Sequence, residues 1–182
     1  MDDATDNQLI AAHLRGDDTA LQRLVDRHLP AVSGFCFQLA LKRPLAEDLT
    51  QETFLRAIRS LSSFRGGSAF RTWLFSIASN LAKNRLARDS RETAVGNQVD
   101  ELTTPVTDAP DQSALQSELA EEIDAALEEL PLNLRSALVL SVVHGMPSPA
   151  IAEIEGVAVN TIYWRIHEAR KILKRRLQQW TT

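Results

Sequence analysis

Residues 149–166 read PAIAEIEGVAVNTIYWRI, and three of them stand at the separations that two helices joined by a tight turn require. Ala152 lets the helices cross closely, Gly156 takes the left-handed backbone of the turn, and Ile162 fills the shared core. The same core is completed by Ile151, Val157 and Ile166. This stretch therefore predicts a helix-turn-helix.

The second helix of this motif carries polar, aromatic and basic side chains, starting at the end that enters the major groove in such motifs. These candidate DNA-binding residues are Asn160, Thr161, Tyr163, Trp164, Arg165, His167, Arg170, Lys171 and Lys174. The basic tail that follows would hold phosphates, which position a protein without reading sequence. Two alternatives stay open: a helical hairpin that serves stability alone, and a Tyr163–Trp164 surface that packs against another protein.

Helical periodicity extends over the rest of the chain and no stretch alternates convincingly as a strand does, so the predicted fold class is all-α. A segment with two prolines and several Thr and Asp residues interrupts the pattern and predicts a flexible acidic linker. The predicted organisation is a helical bundle over 1–90, a linker over 91–113 and a second helical domain over 114–182. Helices of the second domain are expected near 114–129, 131–144, 148–155 and 159–178, with Gly145 as a C-terminal cap.

In the first domain, Asp17 or Asp18 caps one helix, and Pro30 starts or bends the next. The chain is expected to break at 42–44 and to form a further helix over about 45–61. One buried stripe is then predicted from Phe70, Trp73, Leu74, Ile77, Ala78 and Leu81. The opposite side of that helix carries Arg71, Phe75, Ser79, Asn80, Lys83 and Asn84.

Charge is distributed in blocks along the chain. Residues 56–91 hold 8 Lys/Arg against 1 Asp/Glu, whereas residues 92–134 hold no Lys/Arg and 11 Asp/Glu. Residues 135–182 are basic again, with 7 Lys/Arg against 3 Asp/Glu. Two basic blocks separated by an acidic one indicate two surfaces for a polyanion, although ordinary solvated charge gives the same pattern.

The remaining composition predicts no metal, no cofactor and no catalytic site. The single Cys36 lies in an apolar stretch and is expected to be a small buried hydrophobe. The histidines lie far apart, and the sequence contains no glycine-rich phosphate loop or nucleophile elbow. No apolar run is long enough for a membrane span and the start is acidic, so we expect a cytoplasmic protein without membrane insertion.

Residues 64–73 read FRGGSAFRTW and combine a flexible turn with three aromatic and two arginine side chains. A simple connecting loop carries small polar residues, so this turn favours a flat, apolar and negatively charged ligand. Phe70 and Trp73 also lie on the predicted buried stripe, and a core role is preferred for both of them. For Phe64, core and ligand roles stay open.

Two long runs of the sequence closely resemble bacterial extracytoplasmic-function (ECF) sigma factors, group 4 of the sigma-70 family. The first is AEDLTQETFLRAIRSLSSFRGGSAFRTWLFSIASNLAKNRLAR over 46–88. The second is LPLNLRSALVLSVVHGMPSPAIAEIEGVAVNTIYWRIHEARKIL over 130–173. The resemblance implies a subunit that carries core RNA polymerase to promoters and helps to open the duplex, with sigma region 2 in the first domain and sigma region 4 in the second.

The resemblance also implies roles for particular residues. The turn and the helix after it would hold the non-template strand of the −10 element, through Phe64, Arg65, Ser68, Arg71, Asn80, Lys83, Asn84, Arg85 and Arg88. The helix-turn-helix would read the −35 element. Core polymerase would be bound, at the clamp helices of its largest subunit, by Asp48, Leu49, Gln51, Glu52, Phe54 and Leu55. Leu49 and Phe54 are expected to face mainly inward, and without the resemblance the carboxylates of this set would be taken for solvated surface.

Further expected partners are the flap of the second-largest polymerase subunit, promoter DNA and an anti-sigma factor. The sequence departs from the family where DNA is read, because Tyr163, Trp164 and Glu168 stand where many members have basic residues. A carboxylate repels phosphate but accepts a hydrogen bond from cytosine. The alternative function is a helix-turn-helix regulator that binds duplex operators without polymerase.

Overall fold

The computed structural model describes residues 4–94 and 122–177, and all regular structure within these ranges is helical. This confirms the predicted all-α class. The elements are α1 (Asp6–His13), α2 (Asp18–Ala40), α3 (Arg43–Ser60), a short 3₁₀ turn (Leu61–Ser63), α4 (Phe70–Ala94), α5 (122–128), α6 (Leu132–Val142), α7 (Ser148–Glu155) and α8 (Val159–Arg176). No described helix is long and apolar enough to cross a membrane.

Helices α1 to α4 form the N-terminal bundle, and local chemistry sets their ends. Thr5 and Gln8 form a reciprocal capping box at the start of α1, and Asp17 accepts from the backbone N–H groups of Thr19 and Ala20 at the start of α2. Leu41 ends α2 with a left-handed φ of 55°, and α3 begins directly after it. The predicted cap of α2 and the break before α3 are therefore confirmed.

Pro30 does not start a new helix, which corrects one of the two expectations stated for it. The α2 helix is continuous through Pro30, whose side chain is exposed. Proline costs about 3 kcal/mol in a helix interior. Buried residues on both sides of it, including Leu24, Val32 and Phe35, keep one helical spacing and anchor a single rod in the core. Burial of that stripe outweighs the local preference of proline.

The α4 helix lies at the centre of the molecule and is buried on two sides. Phe70, Leu74, Ala78 and Leu81 lie in the N-terminal bundle as predicted, and Trp73 and Ile77 are half-buried beside them. On the opposite side, Phe75 and Ser79 are fully buried as well. Phe75 packs against Phe35 of α2, and the C-terminal helix α7 packs against α4.

Helices α5 to α8 form the C-terminal bundle, and α7 and α8 are the predicted helix-turn-helix. Ile151 and Ile162 are fully buried, Ile166 is nearly so, and Gly156 ends α7 with a left-handed φ of 65°. Gly145 also has a positive φ, of 62°, shortly after α6. The predicted roles of these residues are confirmed.

The two bundles contact each other through α4 with α7 and through α2 with α6. The Arg135 guanidinium on α6 donates to the Leu39 carbonyl of α2 at 2.9 Å. The α4 helix also continues to Ala94, past the expected start of the linker at residue 91. The rest of the predicted linker, and the start of the helix expected from residue 114, lie outside the described residues.

Candidate nucleic-acid interface

An aromatic cluster stands at the turn between α3 and α4. The ring of Phe64 lies 5.4 Å from that of Phe70 and 5.2 Å from that of Trp73, measured between centroids. Phe70 is 4% exposed, which confirms its core role, while Phe64 and Trp73 are half-buried. The edge of the cluster is thus open to a ligand, and its base is part of the core.

The accessible strip of α4 lies beyond this cluster and is polar and basic. Asn80, Asn84 and Arg88 are exposed along the helix, and Arg65 is exposed in the turn that precedes it. Ser68 is half-buried in the same turn. Asn side chains both donate and accept hydrogen bonds, whereas Arg side chains only donate. This strip therefore has the groups needed to contact bases and phosphates.

Two predicted contact residues on α4, Arg85 and Arg88, share the acidic neighbour Asp89, whose carboxylate lies 3.9 Å from the Arg88 Nε. The Arg85 Nε donates to the Asp89 carboxylate at 3.2 Å, one helical turn further on. Arg85 and Asp89 are both partly exposed, so this ion pair is open to solvent. Exposed pairs of this kind contribute less than about 1 kcal/mol. A phosphate can therefore compete with Asp89 for Arg85.

Two other predicted α4 residues are held by the C-terminal bundle. The Lys83 Nζ lies 2.8 Å from the Glu155 carboxylate of α7. The Arg71 Nη2 donates to the His144 carbonyl at 3.2 Å, and its guanidinium lies over the Phe75 ring at 5.4 Å from the centroid. In this arrangement both cations are engaged by groups of the C-terminal bundle, although the Lys83 side chain stays 30% exposed.

His144 lies between the bundles and is a half-buried, neutral base. Its ring contacts Phe35 edge to face and lies tilted against Phe75, with centroids 5.7 and 4.8 Å apart, and the Arg71 Nη2 lies 3.5 Å from its Nδ1. Burial, followed by the charge of Arg71, lowers the pKa of His144 to about 4. The imidazole is thus uncharged at neutral pH, and its Nε2 is buried without a hydrogen-bond partner in the part of the chain described.

The outer face of α8 presents most of the residues predicted for duplex binding. Tyr163 and Trp164 are each 58% exposed at its N-terminal end. The other exposed members of the set are Asn160, His167, Arg170, Lys171 and Lys174, and Thr161 is half-buried. The Lys171 Nζ lies 3.6 Å from the Glu168 carboxylate, so the one acidic residue of this face is partly neutralised.

Arg165 does not lie on that outer face. Its Nη1 donates to the Glu155 carboxylate at 3.1 Å, and its side chain is only 14% exposed. Arg165 is thus directed toward α7, within the C-terminal bundle.

The surface predicted for polymerase binding lies on α3. Asp48, Gln51 and Leu55 are exposed, and Glu52 pairs with Arg56 at 2.6 Å on the same helix. Leu49 is 4% exposed and belongs to the core, which matches its expected inward direction. Phe54 is half-buried against the core, which matches its expected inward direction.

Sequence reasoning missed the residues that join the bundles, namely Ser79, Arg135, Ser136, His144 and Glu155. The pattern contains one usable indication, because Glu155 follows Ile151 by four residues and Ala152 by three. That spacing places Glu155 on the buried stripe of α7. A carboxylate on a buried stripe indicates buried polar partners.

Comparison with known proteins assigns both bundles. The family model for sigma-70 region 2 matches residues 24–92, and the model for sigma-70 region 4 matches residues 120–173. The ECF RNA polymerase sigma-E factor of Haemophilus influenzae is 33% identical over 187 aligned positions, which cover 96% of each chain. The chain belongs to the ECF sigma factor family.

Other ECF-type relatives agree with the assignment. The RNA polymerase sigma-H factor of Pseudomonas aeruginosa is 34% identical over 95% of this chain and 94% of its own. The sigma factor RpoE of Bartonella quintana, solved in complex with the anti-sigma factor NepR, matches with a TM-score of 0.71 and 30% identity. That match covers 87% of this sigma factor and 96% of the solved chain. The aromatic turn and α4 thus belong to region 2, and α7 and α8 to region 4.

Proposed function

We propose that this ECF sigma factor binds core RNA polymerase, directs it to particular promoters and assists the opening of promoter DNA. The observation that carries the proposal is the tandem of two surfaces, one on each family region. One is the aromatic turn with the polar strip of α4, and the other is the exposed face of α8. Transcription places this activity in the cytoplasm, and polymerase supplies the catalysis.

Region 2 would act on the −10 element. The open edge of Phe64 and Trp73 offers a stacking surface beside the exposed Arg65. Stacking of a base on an aromatic side chain contributes about 1–3 kcal/mol, which offsets much of the few kcal/mol needed to unstack a nucleotide. Asn80 and Asn84 would then contact base edges of the separated strand, and Arg88 its phosphates.

Region 4 would read the −35 element in the major groove. The N-terminal end of α8 presents Asn160, Tyr163 and Trp164, with His167 and Arg170 further along the helix. Large aromatic rings suit apolar contact with thymine methyl groups, and basic residues suit phosphates and guanine. The promoter preference of this sigma factor would therefore differ from that of relatives with more basic residues here.

Core polymerase would engage α3 through Asp48, Gln51, Glu52 and Leu55. These residues combine acidic and amide groups with one leucine that is 47% exposed. Such a surface complements a basic partner such as the clamp helices of the largest subunit. The flap of the second-largest subunit would contact region 4, and an anti-sigma factor would cover the free protein, as the Bartonella quintana complex supports.

Run-off transcription with core polymerase and a promoter library tests this proposal. We expect transcripts that depend on the chain, with unpaired thymines near the −10 element, and a gel shift that requires core enzyme. Asn80→Ala should reduce transcription roughly tenfold, since a lost base contact costs about 1–3 kcal/mol. Ser90→Ala, exposed later on the same helix, is the matched control. Specific duplex binding without core, and no promoter-dependent transcript with it, would instead identify a regulator.

A further inference from the structure

The Glu155 carboxylate is the most completely enclosed charge between the two bundles, with a side chain that is 0% exposed. Its Oε1 accepts from Ser79 Oγ of α4 and from Ser136 Oγ of α6, both at 2.8 Å. Its Oε2 lies 2.8 Å from Lys83 Nζ of α4 and 3.1 Å from Arg165 Nη1 of α8. Each oxygen therefore has one partner from each bundle.

This division has an energetic consequence. A buried carboxylate is tolerated only where hydrogen bonds and opposite charges replace its water. Ser136 and Arg165 stay with Glu155 if the bundles separate, but Ser79 and Lys83 leave with α4. The contacts of Glu155 with Ser136 and Arg165 can therefore persist after the bundles separate. Its contacts with Ser79 and Lys83 exist only while the bundles are together.

The region 2 half of the cluster is also a phosphate-binding arrangement. Ser79 and Lys83 stand one helical turn apart on α4, so a hydroxyl and an ammonium converge on one anion. Lys83 continues the row of polar and basic residues that the proposed function assigns to the −10 strand. A phosphate bound by Ser79 and Lys83 would lie where the Glu155 carboxylate lies in this structure.

The closed arrangement and promoter binding exclude each other, an inference that rests on the proposed function. Elements centred near −10 and −35 are about 25 base pairs apart, which is about 85 Å along B-form DNA. In this structure α4 and α7 are in hydrogen-bond contact. One chain cannot hold both elements and keep the cluster intact.

We propose that Glu155 is an intramolecular latch that closes the free sigma factor by taking the place of a DNA phosphate on Ser79 and Lys83. When the bundles separate, Lys83 and Ser79 on α4 become free to bind phosphate. Glu155 then keeps only its contacts with Ser136 and Arg165. Binding of free sigma factor to single-stranded DNA is thereby restrained until the bundles separate.

A second contact between the bundles keeps the latch reversible. Arg71 donates to the His144 carbonyl, but its Nε is buried without a partner, and no carboxylate lies within ion-pair distance of it among the described residues. Arg71 is half-buried, and a guanidinium with a buried Nε that lacks a partner is disfavoured relative to one in water or on a phosphate. The Glu155 cluster thus favours closure, while Arg71 favours an open state in which a phosphate can reach it.

Small-angle X-ray scattering of the free full-length chain tests the latch without polymerase or DNA. The wild-type chain should be compact, with a radius of gyration not far above the roughly 16 Å of a globule of this length. Glu155→Gln and the double variant Ser79→Ala/Lys83→Met should both shift to a larger radius with a two-lobed distance distribution. Ser136→Ala removes a hydrogen bond to the same Oε1 within region 4 and should stay compact.

Binding of a labelled single-stranded oligonucleotide to the same proteins shows whether opening also frees Ser79 and Lys83 to bind DNA, or only separates the bundles. Apparent affinity rises in proportion to the fraction of open molecules. Glu155→Gln keeps Ser79 and Lys83 and should bind on the order of tenfold more tightly than wild type. Ser79→Ala/Lys83→Met opens equally but lacks the phosphate contacts, so it should not gain affinity to that extent.

Compact scattering from both opening variants, with unchanged helical circular dichroism, would overturn the latch. An open Glu155→Gln chain without a gain in oligonucleotide binding would overturn the exchange of Glu155 for phosphate. If Glu155→Gln unfolds, the double variant decides the scattering test, because it leaves Glu155 bound to Ser136 and Arg165. A failure of the proposed function would show separately, as absent transcription by wild type with core enzyme, and the scattering result would still stand.

Discussion

At the scale of single residues, Gly156 shows which property of a side chain the helix-turn-helix requires. Its φ of 65° lies in the left-handed region, and a Cβ added there would meet no atom within 4 Å. Sterically the site has room for alanine. Only the backbone conformation selects glycine, since a left-handed residue with a Cβ costs roughly 1–2 kcal/mol.

Gly156→Ala should therefore destabilise the protein by about 1 kcal/mol through strain of the turn. Gly34→Ala is the matched control, because Gly34 lies inside α2 and an added Cβ also meets no atom within 4 Å. That control should stabilise by up to about 1 kcal/mol, as alanine is the better helix former. Urea unfolding monitored by circular dichroism measures both changes. Equal shifts in the same direction would contradict the assignment.

The residues that could be predicted from sequence are those whose role depends on near neighbours. Gly156, Ile162 and the Asp17 cap follow from spacing within one or two turns. The partners of Glu155 and Arg135 could not be predicted in this way. Ser79 lies 76 positions from Glu155, and Leu39 lies 96 positions from Arg135. Periodicity reports which side of a helix is buried, but not which distant group meets it.

At the scale of elements, Arg135 joins the ends of three helices. Its guanidinium donates to the Leu39 carbonyl in the last turn of α2, and to the Glu128 and Leu130 carbonyls at the end of α5. Terminal carbonyls lack partners within their own helix, and a cation complements the negative end of the helix dipole. Burial lowers the pKa of Arg135, yet a guanidinium stays charged at neutral pH.

Arg135→Met should destabilise the closed protein by about 2 kcal/mol, because it leaves these carbonyls without a charged donor. Methionine keeps the apolar part of the side chain, so packing changes little. Arg175→Met, on the exposed side of α8, is the control and should lie within about 0.5 kcal/mol of wild type. Thermal and urea unfolding give both values. An Arg135→Met protein as stable as wild type would show that Arg135 does not help to hold the bundles together.

The helices themselves follow from the sequence except where packing overrides a local preference. The predicted all-α class and the bounds of α3 and α7 agree closely with the structure. One expectation on a single element fails, because Pro30 is carried through α2 by burial on both sides of it. The second buried side of α4 could not be predicted from its own pattern, because Ser79 is covered by a bundle distant in sequence and Phe75 by Phe35 and His144.

At the scale of the whole molecule, the arrangement of the bundles places an ionisable group at their contact. His144 faces Arg71 of α4, and the other groups around its ring are the uncharged Phe35 of α2 and Phe75 of α4. Its pKa is lowered to about 4 in the closed protein from an ordinary value of 6.5. A proton therefore binds more readily to the open form. Closure is fully favoured above pH 6.5 and weakens as the pH falls toward 4.

We accordingly expect the wild-type radius of gyration to increase between pH 7 and pH 5, a range above the ordinary titration of exposed carboxylates near 4. His144→Gln cannot take up the proton and should keep the same radius across this range. His167→Gln, exposed on α8, is the control and should follow wild type.

Scattering is the decisive measurement, because the pH dependence of global unfolding would contain contributions from both His144 and His28. Burial also lowers the pKa of His28, despite the Asp6 carboxylate at 2.9 Å, so His28 makes folding sensitive to pH in the same direction. That pair lies within the N-terminal bundle, between α1 and α2, and opening of the bundles does not expose it. If the radius of His144→Gln still depends on pH, a group other than His144 is responsible for the pH dependence. A constant wild-type radius, with helical content retained, would mean that the closed state is held too strongly for His144 to open it.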